Sequence, residues 1–467
     1  MRKTAVISLL LLGGCIVGPR YETPVTEFAP QFTENEETVG PEVDLRTWWM
    51  QFNDPILDSM IAEAIEDNLD LQIAGERIAQ VRARYQLSSA NLWPEIDVVG
   101  SVSRYRNTQS LCPPESICPP VQNFFQLGFD ASWELDFFGR LRSLQSAALF
   151  ELQASQENFR NVYITLLAEV SRNYSFFRSL QQRIELTIDQ IQINIDRLQM
   201  AEVRYRAGLR SDIEPLQVQA ELEALQATLP PLEAQKNATL YNIAVLLGRQ
   251  PEEIPEEWCA PQPIPQAKGK IPLGLPSDLL RRRPDIREAE RLLAAATSQV
   301  SATIALLFPS FSLTGTFGYE ANTTNNWFTF KSETWSVGPG VFWPFIDFGR
   351  IRDQIDYTKA VQREALLNYE KIVLEALQDV ESALVAYSEE QIRLDRLGAQ
   401  IDSLRESRDL TAALFKAGLR SLTELLDAEQ QVLLATQTFI SSEQALSEAL
   451  IAVYKSLGGD WPCYATP

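Results

Sequence analysis

Residues 133–140 read WELDFFGR, and 210 positions later residues 343–350 read WPFIDFGR. A second pair has the same offset, because RAGLRSDIEPLQ at 206–217 returns as KAGLRSLTELLD at 416–427. Matches at one fixed separation are the signature of an internal duplication, which has to be recognised before any fold is assigned. These four segments therefore decide how the rest of the chain is divided.

Three further pairs of segments occur in the same order along the chain. They are NLDLQIAGERI (68–78) with RPDIREAERLL (283–293), Trp93-Pro94 with Phe308-Pro309, and IAVLLG (243–248) with IAVYKSLG (451–458). We therefore predict two copies of one structural unit, at 68–250 and 283–460, joined by a linker at 251–282.

Apolar residues alternate with polar or small residues in each copy. The stretches are FFQLGFDASWEL (124–135), PSFSLTGTFGY (309–319), TWSVGPGVFWPF (334–345) and, more weakly, residues 96–102. A period of two predicts strands with one apolar face. We expect β-hairpins at about 95–136 and 309–346, and strands of about 10–12 residues suit a tilted membrane crossing.

Aromatic residues crowd the ends of these stretches. They are Phe124, Trp133, Trp335 and Trp343. Aromatic belts are typical of membrane interfaces, so this pattern favours a lipid-facing sheet over a soluble, half-buried one. Four strands cannot close a barrel, and open edges are not tolerated in lipid, so a membrane-spanning sheet requires several chains. Two chains would give a barrel of eight strands, and three chains would give one of 12. Because an eight-stranded barrel has little open space inside, a duct favours three or more chains.

Long stretches with few helix-breaking residues follow each FGR motif. They run from Arg140 to about Tyr205 and from Arg350 to about Phe415. Helices of about 65 residues would extend roughly 100 Å at 1.5 Å per residue, which is typical of a tube or a stalk. The return helices should be shorter, and Pro230-Pro231 predicts a bend or a break in the first of them.

The repeated AGLRS motif predicts the turn between each long helix and its return helix. Gly208 and Gly418 suit the left-handed conformation that ends a helix. The patterns Ser211–Glu214 and Ser421–Glu424 have the S-x-x-E spacing of a capping box, which would start the next helix.

The N-terminus and the cysteines indicate export. Residues 1–14 combine a basic start with a short apolar run and end in LGG before Cys15, which resembles a lipoprotein signal with Cys15 acylated. A simple secretory signal is the alternative. Of the four other cysteines, Cys112 and Cys118 flank a Pro-rich loop and are expected to form a local disulfide. Cys259 and Cys463 then remain as a long-range pair.

Composition argues against catalysis and against nucleic acid as a partner. The chain has no His, which excludes His-dependent hydrolytic schemes, and it has neither a P-loop nor a dinucleotide fingerprint. We expect no enzyme activity, no cofactor and no metal site. The 62 acidic residues against 41 basic ones give a net charge of −21, which disfavours nucleic acid. That charge fits either a solvated helical surface or an acidic duct that attracts cations.

The lipoprotein-like start, RRRPDI (281–286), the two FGR motifs, the two AGLRS motifs and LLDAEQ (425–430) resemble outer membrane efflux proteins of the TolC, OprM and NodT type. The resemblance covers essentially the whole mature chain. It implies an α+β fold, in which four strands per chain form a 12-stranded outer-membrane β-barrel in a homotrimer, continued by a periplasmic α-helical coiled-coil tunnel. It also implies a periplasmic adaptor protein and an inner-membrane pump, usually of the resistance-nodulation-division type, as partners.

The resemblance also implies roles for the two hairpin tips, 207–215 and 417–427. It places Asp427 at the periplasmic gate, with Thr423 one turn earlier on the same helical face. The remaining tip residues are candidates for adaptor contact or helix capping. They are Gly208, Arg210, Ser211, Asp212, Gly418, Arg420, Ser421 and Glu424.

The expected protein is thus a lipid-anchored channel of the cell outer membrane that passively conducts drugs or other small molecules out of the periplasm. Residues 15–67 form its lipidated N-terminal segment and 461–467 its C-terminal tail. Two alternatives are a protein-secretion duct of the same architecture and a periplasmic coiled-coil structural lipoprotein.

Overall fold

The computed structural model describes residues 16–24, 45–106, 108, 121–209, 211–266 and 278–459. Its strands are β1 (Glu95–Arg106), β2 (Val121–Leu135), β3 (Ser310–Ala321) and β4 (Glu333–Phe342). Its α-helices are α1 (Pro55–Asp67), α2 (Leu69–Ala90), α3 (Arg140–Arg206), α4 (Ile213–Leu246), α5 (Leu279–Arg282), α6 (Pro284–Ile304), α7 (Arg350–Lys416) and α8 (Leu422–Ser456). Contacts divide the chain into two units, the first comprising 1–25, 77–156 and 288–370, and the second 26–76, 157–287 and 371–467.

The first unit contains one antiparallel sheet with the strand order β1-β2-β3-β4. The four predicted strands are therefore confirmed, and so is the expected pairing into two hairpins. On the apolar face Phe129 lies opposite Phe317, which lies opposite Trp335. These three side chains are 51%, 46% and 69% exposed. A soluble sheet would cover such a face, so this exposure favours the lipid-facing interpretation.

The FGR motif forms the junction between strand and helix. Gly139 and Gly349 have φ angles of +78° and +90°, which favour glycine. The carboxylate of Asp136 accepts from the backbone N–H of Leu141 (3.1 Å) and Arg142 (2.9 Å), and Asp347 does the same for Ile351 (2.9 Å). Because a helix begins with unpaired N–H groups, these aspartates start α3 and α7.

The tryptophan of each repeated segment links a strand to the end of the preceding helical segment. The indole of Trp133 on β2 donates to the carbonyl of Leu92 at 2.9 Å. The indole of Trp343, just after β4, donates to the carbonyl of Leu307 at 3.1 Å. The two copies of the repeated sequence therefore form the same tryptophan-to-carbonyl hydrogen bond.

The segment 16–24 packs within the first unit. Its hydrogen bonds include those from Val17 N to Phe138 O (3.2 Å), from Ser301 Oγ to Pro19 O (2.6 Å) and from Tyr21 Oη to Glu290 Oε1 (2.9 Å). A Cβ added at Gly139 would lie 2.8 Å from the Ile16 side chain, so the start of this segment contacts the junction itself.

The second unit contains most of the long helices, and the break that Pro230-Pro231 could have caused in the first return helix does not occur. Helix α4 continues through Pro230-Pro231 without a break. Leu229 and Leu232, on either side of the prolines, pack with Leu180 and Ile184 of α3. Burial of these side chains stabilises the helix by enough to offset the hydrogen bonds that proline cannot donate.

Arg283 explains the RRRPDI motif as a structural element of the second unit. Its side chain is 10% exposed and forms ion pairs with Asp285 (2.6 Å) and Asp379 of α7 (3.1 Å). It also donates to the carbonyls of Ala376 (3.3 Å) and Ser456 (3.2 Å). Arg283 therefore ties the start of α6 to α7 and to the end of α8, since a buried guanidinium needs all of these partners.

Cys259 is exposed, and among the described residues it has no disulfide partner. Its backbone carbonyl accepts from Gln181 Nε2 at 2.8 Å, which fixes this part of the linker to α3. The other cysteines named above (Cys15, Cys112, Cys118 and Cys463) lie outside the described residues, so both disulfides stay predictions. No α-helix in the described ranges is both long and apolar enough to cross a membrane.

Candidate gate at the helical-hairpin tips

The AGLRS motif ends both long helices in the same way. Gly208 has a φ of +73°, its N–H donates to Tyr205 O (2.9 Å), and the N–H of Leu209 donates to Arg204 O (3.0 Å). Gly418 has a φ of +76° and repeats both bonds. This is the Schellman pattern, and it confirms the predicted role of both glycines.

The second tip starts α8 with the predicted capping box. Ser421 Oγ accepts from the Glu424 N–H (3.3 Å), and the Glu424 carboxylate accepts from the Ser421 N–H (2.8 Å). Arg420 also pairs with this carboxylate. The hydrogen bond from the Ser421 backbone, aided by Arg420, lowers the pKa of Glu424 to about 2. Glu424 is therefore a capping carboxylate.

The first tip does not form the predicted capping box. Helix α4 begins one residue later than expected, with Asp212 at the N-cap position and no side-chain cap bond. In α8 the N–H of Leu425 makes the first helical bond to Ser421 O (3.4 Å). The equivalent residue in the first repeat is Pro215, which has no N–H to donate to Ser211. The helix therefore starts where proline is tolerated, inside the first turn.

Glu214 has an ion-pair partner on the preceding long helix. Its carboxylate lies 3.6 Å from the guanidinium of Arg204, on the last turn of α3. The same guanidinium lies 5.5 Å from the ring centre of Phe415, near the end of α7. Arg204 thus contacts the first return helix and the second long helix, and so joins the two tips.

The predicted gate residues lie on an exposed face of α8. Asp427 and Thr423 are both exposed, one turn apart. Thr423 Oγ1 lies 3.5 Å from Gln217 Oε1, whereas Asp427 has no partner among the residues that the structure describes. A carboxylate without a partner is available to a passing ion, and the gate assignment stays a prediction. Arg210, a candidate for adaptor contact, lies outside the described ranges.

The sequence interpretation missed one contact near these residues. Arg197 of α3 forms a bidentate ion pair with Glu429 of α8, two residues after Asp427. The side chains are 24% and 14% exposed. Burial raises the pKa of Glu429, and Arg197 acts against that rise. The seven-residue spacing of Arg197 and Arg204 places both on one face of α3, but it does not identify Glu429 as a partner.

No group of side chains suited to a metal ion occurs among the described residues. The arrangement at the tips is instead one of caps, ion pairs and an exposed carboxylate.

Comparison with known proteins gives a consistent result. The model of the family "Outer membrane efflux protein" matches residues 60–249 and 275–459, and these two ranges correspond to the two repeats. The solvent efflux pump outer membrane protein SrpC of Pseudomonas putida is 29% identical, over 98% of this chain and 98% of its own length. The pyoverdine export outer membrane protein OpmQ of Pseudomonas aeruginosa is also 29% identical, over 99% and 97%.

Solved structures agree with these relatives. The outer-membrane channel OprN has a TM-score of 0.89 and 31% identity, covering 96% of this chain and 100% of its own. The described sheet contradicts the alternative of a purely coiled-coil lipoprotein, which would have none. The protein is therefore an outer-membrane efflux channel rather than an enzyme, and it belongs to the Outer membrane efflux protein family.

Proposed function

We propose that three copies of this chain form the outer-membrane duct of a tripartite efflux system, which passively conducts small molecules. The observation that carries this proposal is the four-stranded sheet, whose apolar face is exposed and whose edge strands β1 and β4 pair with no other described strand. Three copies would close 12 strands, which is wide enough for an open interior.

Lipid anchoring at Cys15 completes the membrane attachment. The segment 16–24 contacts the strand–helix junction through the hydrogen bond from Val17 to Phe138. An acyl group on the residue before this segment would therefore start near the end of the sheet where the strands join helical segments. Replacing Cys15 with Ala should abolish labelling of the protein by radioactive palmitate. Persistent labelling would contradict the anchor.

An adaptor and a proton-driven pump of the resistance-nodulation-division type would supply the driving force, since the chain itself has no nucleotide-binding motif. The exposed tips, including Arg420 and Asp212, are the proposed adaptor contacts. Relatives named for solvent and for pyoverdine support small molecules as cargo. Deleting the gene should raise cellular accumulation of several dyes and antibiotics, and unchanged accumulation of all of them would contradict efflux.

The gate proposal concerns Asp427, which symmetry would repeat as a ring of three carboxylates. Such a ring attracts cations and repels anions. Asp427→Asn should reduce the cation preference and change the single-channel conductance of the protein in planar bilayers. Asp402→Asn, at an exposed aspartate of α7, is the matched control and should leave both unchanged. Equal behaviour of the two variants would refute the gate assignment.

A further inference from the structure

The two faces of the sheet carry opposite charge. Residues directly opposite each other in the strand register share a face, which assigns a side to every charged residue. Within the strands, every charged residue on the polar face is acidic. These residues are Glu95, Asp97, Asp130, Glu134 and Glu320. Arg104 and Arg106, the only basic residues in the four strands, lie on the apolar face, opposite Asn123 and Val121.

These two arginines lie at one end of the apolar face. All four strands join helical segments at one end of the sheet, and the hairpin connections lie at the other. Arg106 is the last residue of β1, so the arginines are at the hairpin end, with Val102 next to them on the same face. Both are exposed, and no described residue forms an ion pair with either.

The connection between β3 and β4 folds onto the same face at the same end. The Trp327 ring lies 5.2 Å from that of Phe125, and its indole donates to Tyr319 O at 3.3 Å. Beyond it Phe328 and Phe330 are 63% and 88% exposed. Aromatic rings of this kind are typical of the interface between lipid and water.

The hydrogen bonds of this connection fix its position. The carbonyl of Asn326 accepts from the hydroxyls of Thr329 (2.9 Å) and Ser332 (2.5 Å). Lys331 is exposed beside Phe330 and adds a third positive charge. Among the described residues on this face, the one acid is Glu333, opposite Tyr319 at the hairpin end of β4. The described charges on this face at the hairpin end therefore have a positive excess.

We propose that Arg104, Arg106 and Lys331, with the adjoining aromatic rings, bind phosphate-bearing lipid of the outer leaflet. This proposal rests on the proposed function, which makes the apolar face lipid-facing and places the anchored end of the sheet at the inner leaflet. Guanidinium groups bind phosphate with paired hydrogen bonds, and the apolar side chains beside them accept acyl chains. A lipid with phosphates above several acyl chains matches this arrangement.

The test uses the mature full-length protein in vesicles of neutral phosphatidylcholine, with and without added lipid A. Lipid A should raise the thermal unfolding midpoint of the wild type, and Arg104→Gln/Arg106→Gln should lose more than half of that rise. Dephosphorylated lipid A should stabilise the wild type less. Inorganic phosphate alone should have little effect, because it supplies no acyl chains.

Two further variants keep the test decisive. Arg352→Gln, at an exposed arginine of α7, should respond to lipid A as the wild type does. Arg104→Lys/Arg106→Lys retains the charge without the paired hydrogen bonds and should give an intermediate response. Equal stabilisation of the wild type and the Gln variant, or of both by dephosphorylated lipid A, would overturn the proposal.

Conductance separates this proposal from the proposed function. The Gln variant should conduct as the wild type does in planar bilayers, since Arg104 and Arg106 lie on the face away from the duct. If the wild type forms no channel, the proposed function fails. If it forms one and lipid A has no differential effect, only the lipid proposal fails.

Discussion

The first and second tips end their long helices at glycines of nearly equal φ, +73° at Gly208 and +76° at Gly418, and then diverge within four residues. At the second tip Ser421 and Glu424 cap α8 within one turn. At the first tip the corresponding glutamate pairs with Arg204 of the previous helix. Pro215 therefore removes the backbone bond that would start α4 at Ser211, and the first tip has no counterpart of the Ser421–Glu424 capping box.

Because of this difference, the two tips make different contacts. The second tip caps the start of α8 with its own side chains, and Gln217 of α4 adds a contact to Thr423, one turn before Asp427. The first tip contributes Arg204, which contacts Phe415 of the second repeat. Arg197, seven residues before Arg204 on α3, forms an ion pair with Glu429. The second tip supplies the candidate gate residue, and α3 of the first repeat supplies the contacts that hold the two repeats together.

Removing the Arg197–Glu429 ion pair should have the largest effect. Arg197→Met leaves a carboxylate that is 14% exposed without its partner. The cost for fully buried pairs is roughly 3–5 kcal/mol, and we expect about 2 kcal/mol here because the site is partly solvated. The thermal unfolding midpoint should fall, and amide exchange should rise around Glu429.

The control for that variant is Glu202→Gln. It removes the exposed pair of Glu202 with Arg206, at 2.6 Å on the same helix. Exposed pairs of this kind contribute about 0.5 kcal/mol or less. Equal shifts in the two variants would mean that Arg197 does not hold the repeats together.

Replacing the tip glycines should have equal effects at the two tips. An added Cβ at Gly208 or Gly418 would meet no atom within 4 Å, so the cost comes only from the positive φ. That cost is about 1–2 kcal/mol. Gly208→Ala and Gly418→Ala should therefore lower the unfolding midpoint by the same amount. Clearly unequal decreases would mean that the two tips already differ at their glycines, before the next helix starts.

The caps themselves should respond unequally. Ser421→Ala removes a side-chain cap and should cost about 1 kcal/mol, whereas Ser211→Ala should be close to neutral. Pro215→Leu restores the missing N–H and should create a capping box at the first tip. Hydrogen exchange at the Glu214 amide measures this directly, and protection should appear only in the Pro215→Leu protein.

Acidification should have opposite effects at Glu424 and Glu429, because their pKa values are shifted in opposite directions. Glu424 has a lowered pKa of about 2, so its stabilising contribution is complete above the ordinary value of 4.5 and is lost only as the pH falls toward 2. Burial raises the pKa of Glu429, so the folded state binds that proton more tightly than the unfolded chain does, and acidification favours the fold at this site. Amide protection at Ser421 should therefore fall as the pH approaches 2, whereas protection around Glu429 should not fall first, and an earlier loss around Glu429 would contradict its raised pKa.

Local patterns predicted most of the fold. Alternation identified the strands, the repeated glycines identified the turns, and the absence of breakers identified α3 and α7, because each of these signals acts within a few residues. The capping box predicted at Ser211–Glu214 and the possible break at Pro230-Pro231 do not occur. In the first case Pro215 removed one donor, and in the second distant burial against α3 outweighed the local effect of proline.

The candidate gate was less predictable from sequence. Asp427 followed from a family resemblance, and its exposed position on α8 agrees with that role without establishing it. The partners Arg197 and Glu429 are 232 residues apart, and no local pattern connects them. Arg283 was noticed as part of a motif, but its role depended on carbonyl groups contributed by α7 and α8.

The two tryptophan-to-carbonyl bonds have a consequence for how the sheet aligns. A slip of one residue between strands would move every apolar side chain to the polar face. Trp133 can reach Leu92, and Trp343 can reach Leu307, in a single alignment of each strand with the end of its preceding helical segment. Each repeat thus has its own contact that fixes strand register at the end of the sheet where the strands join helical segments.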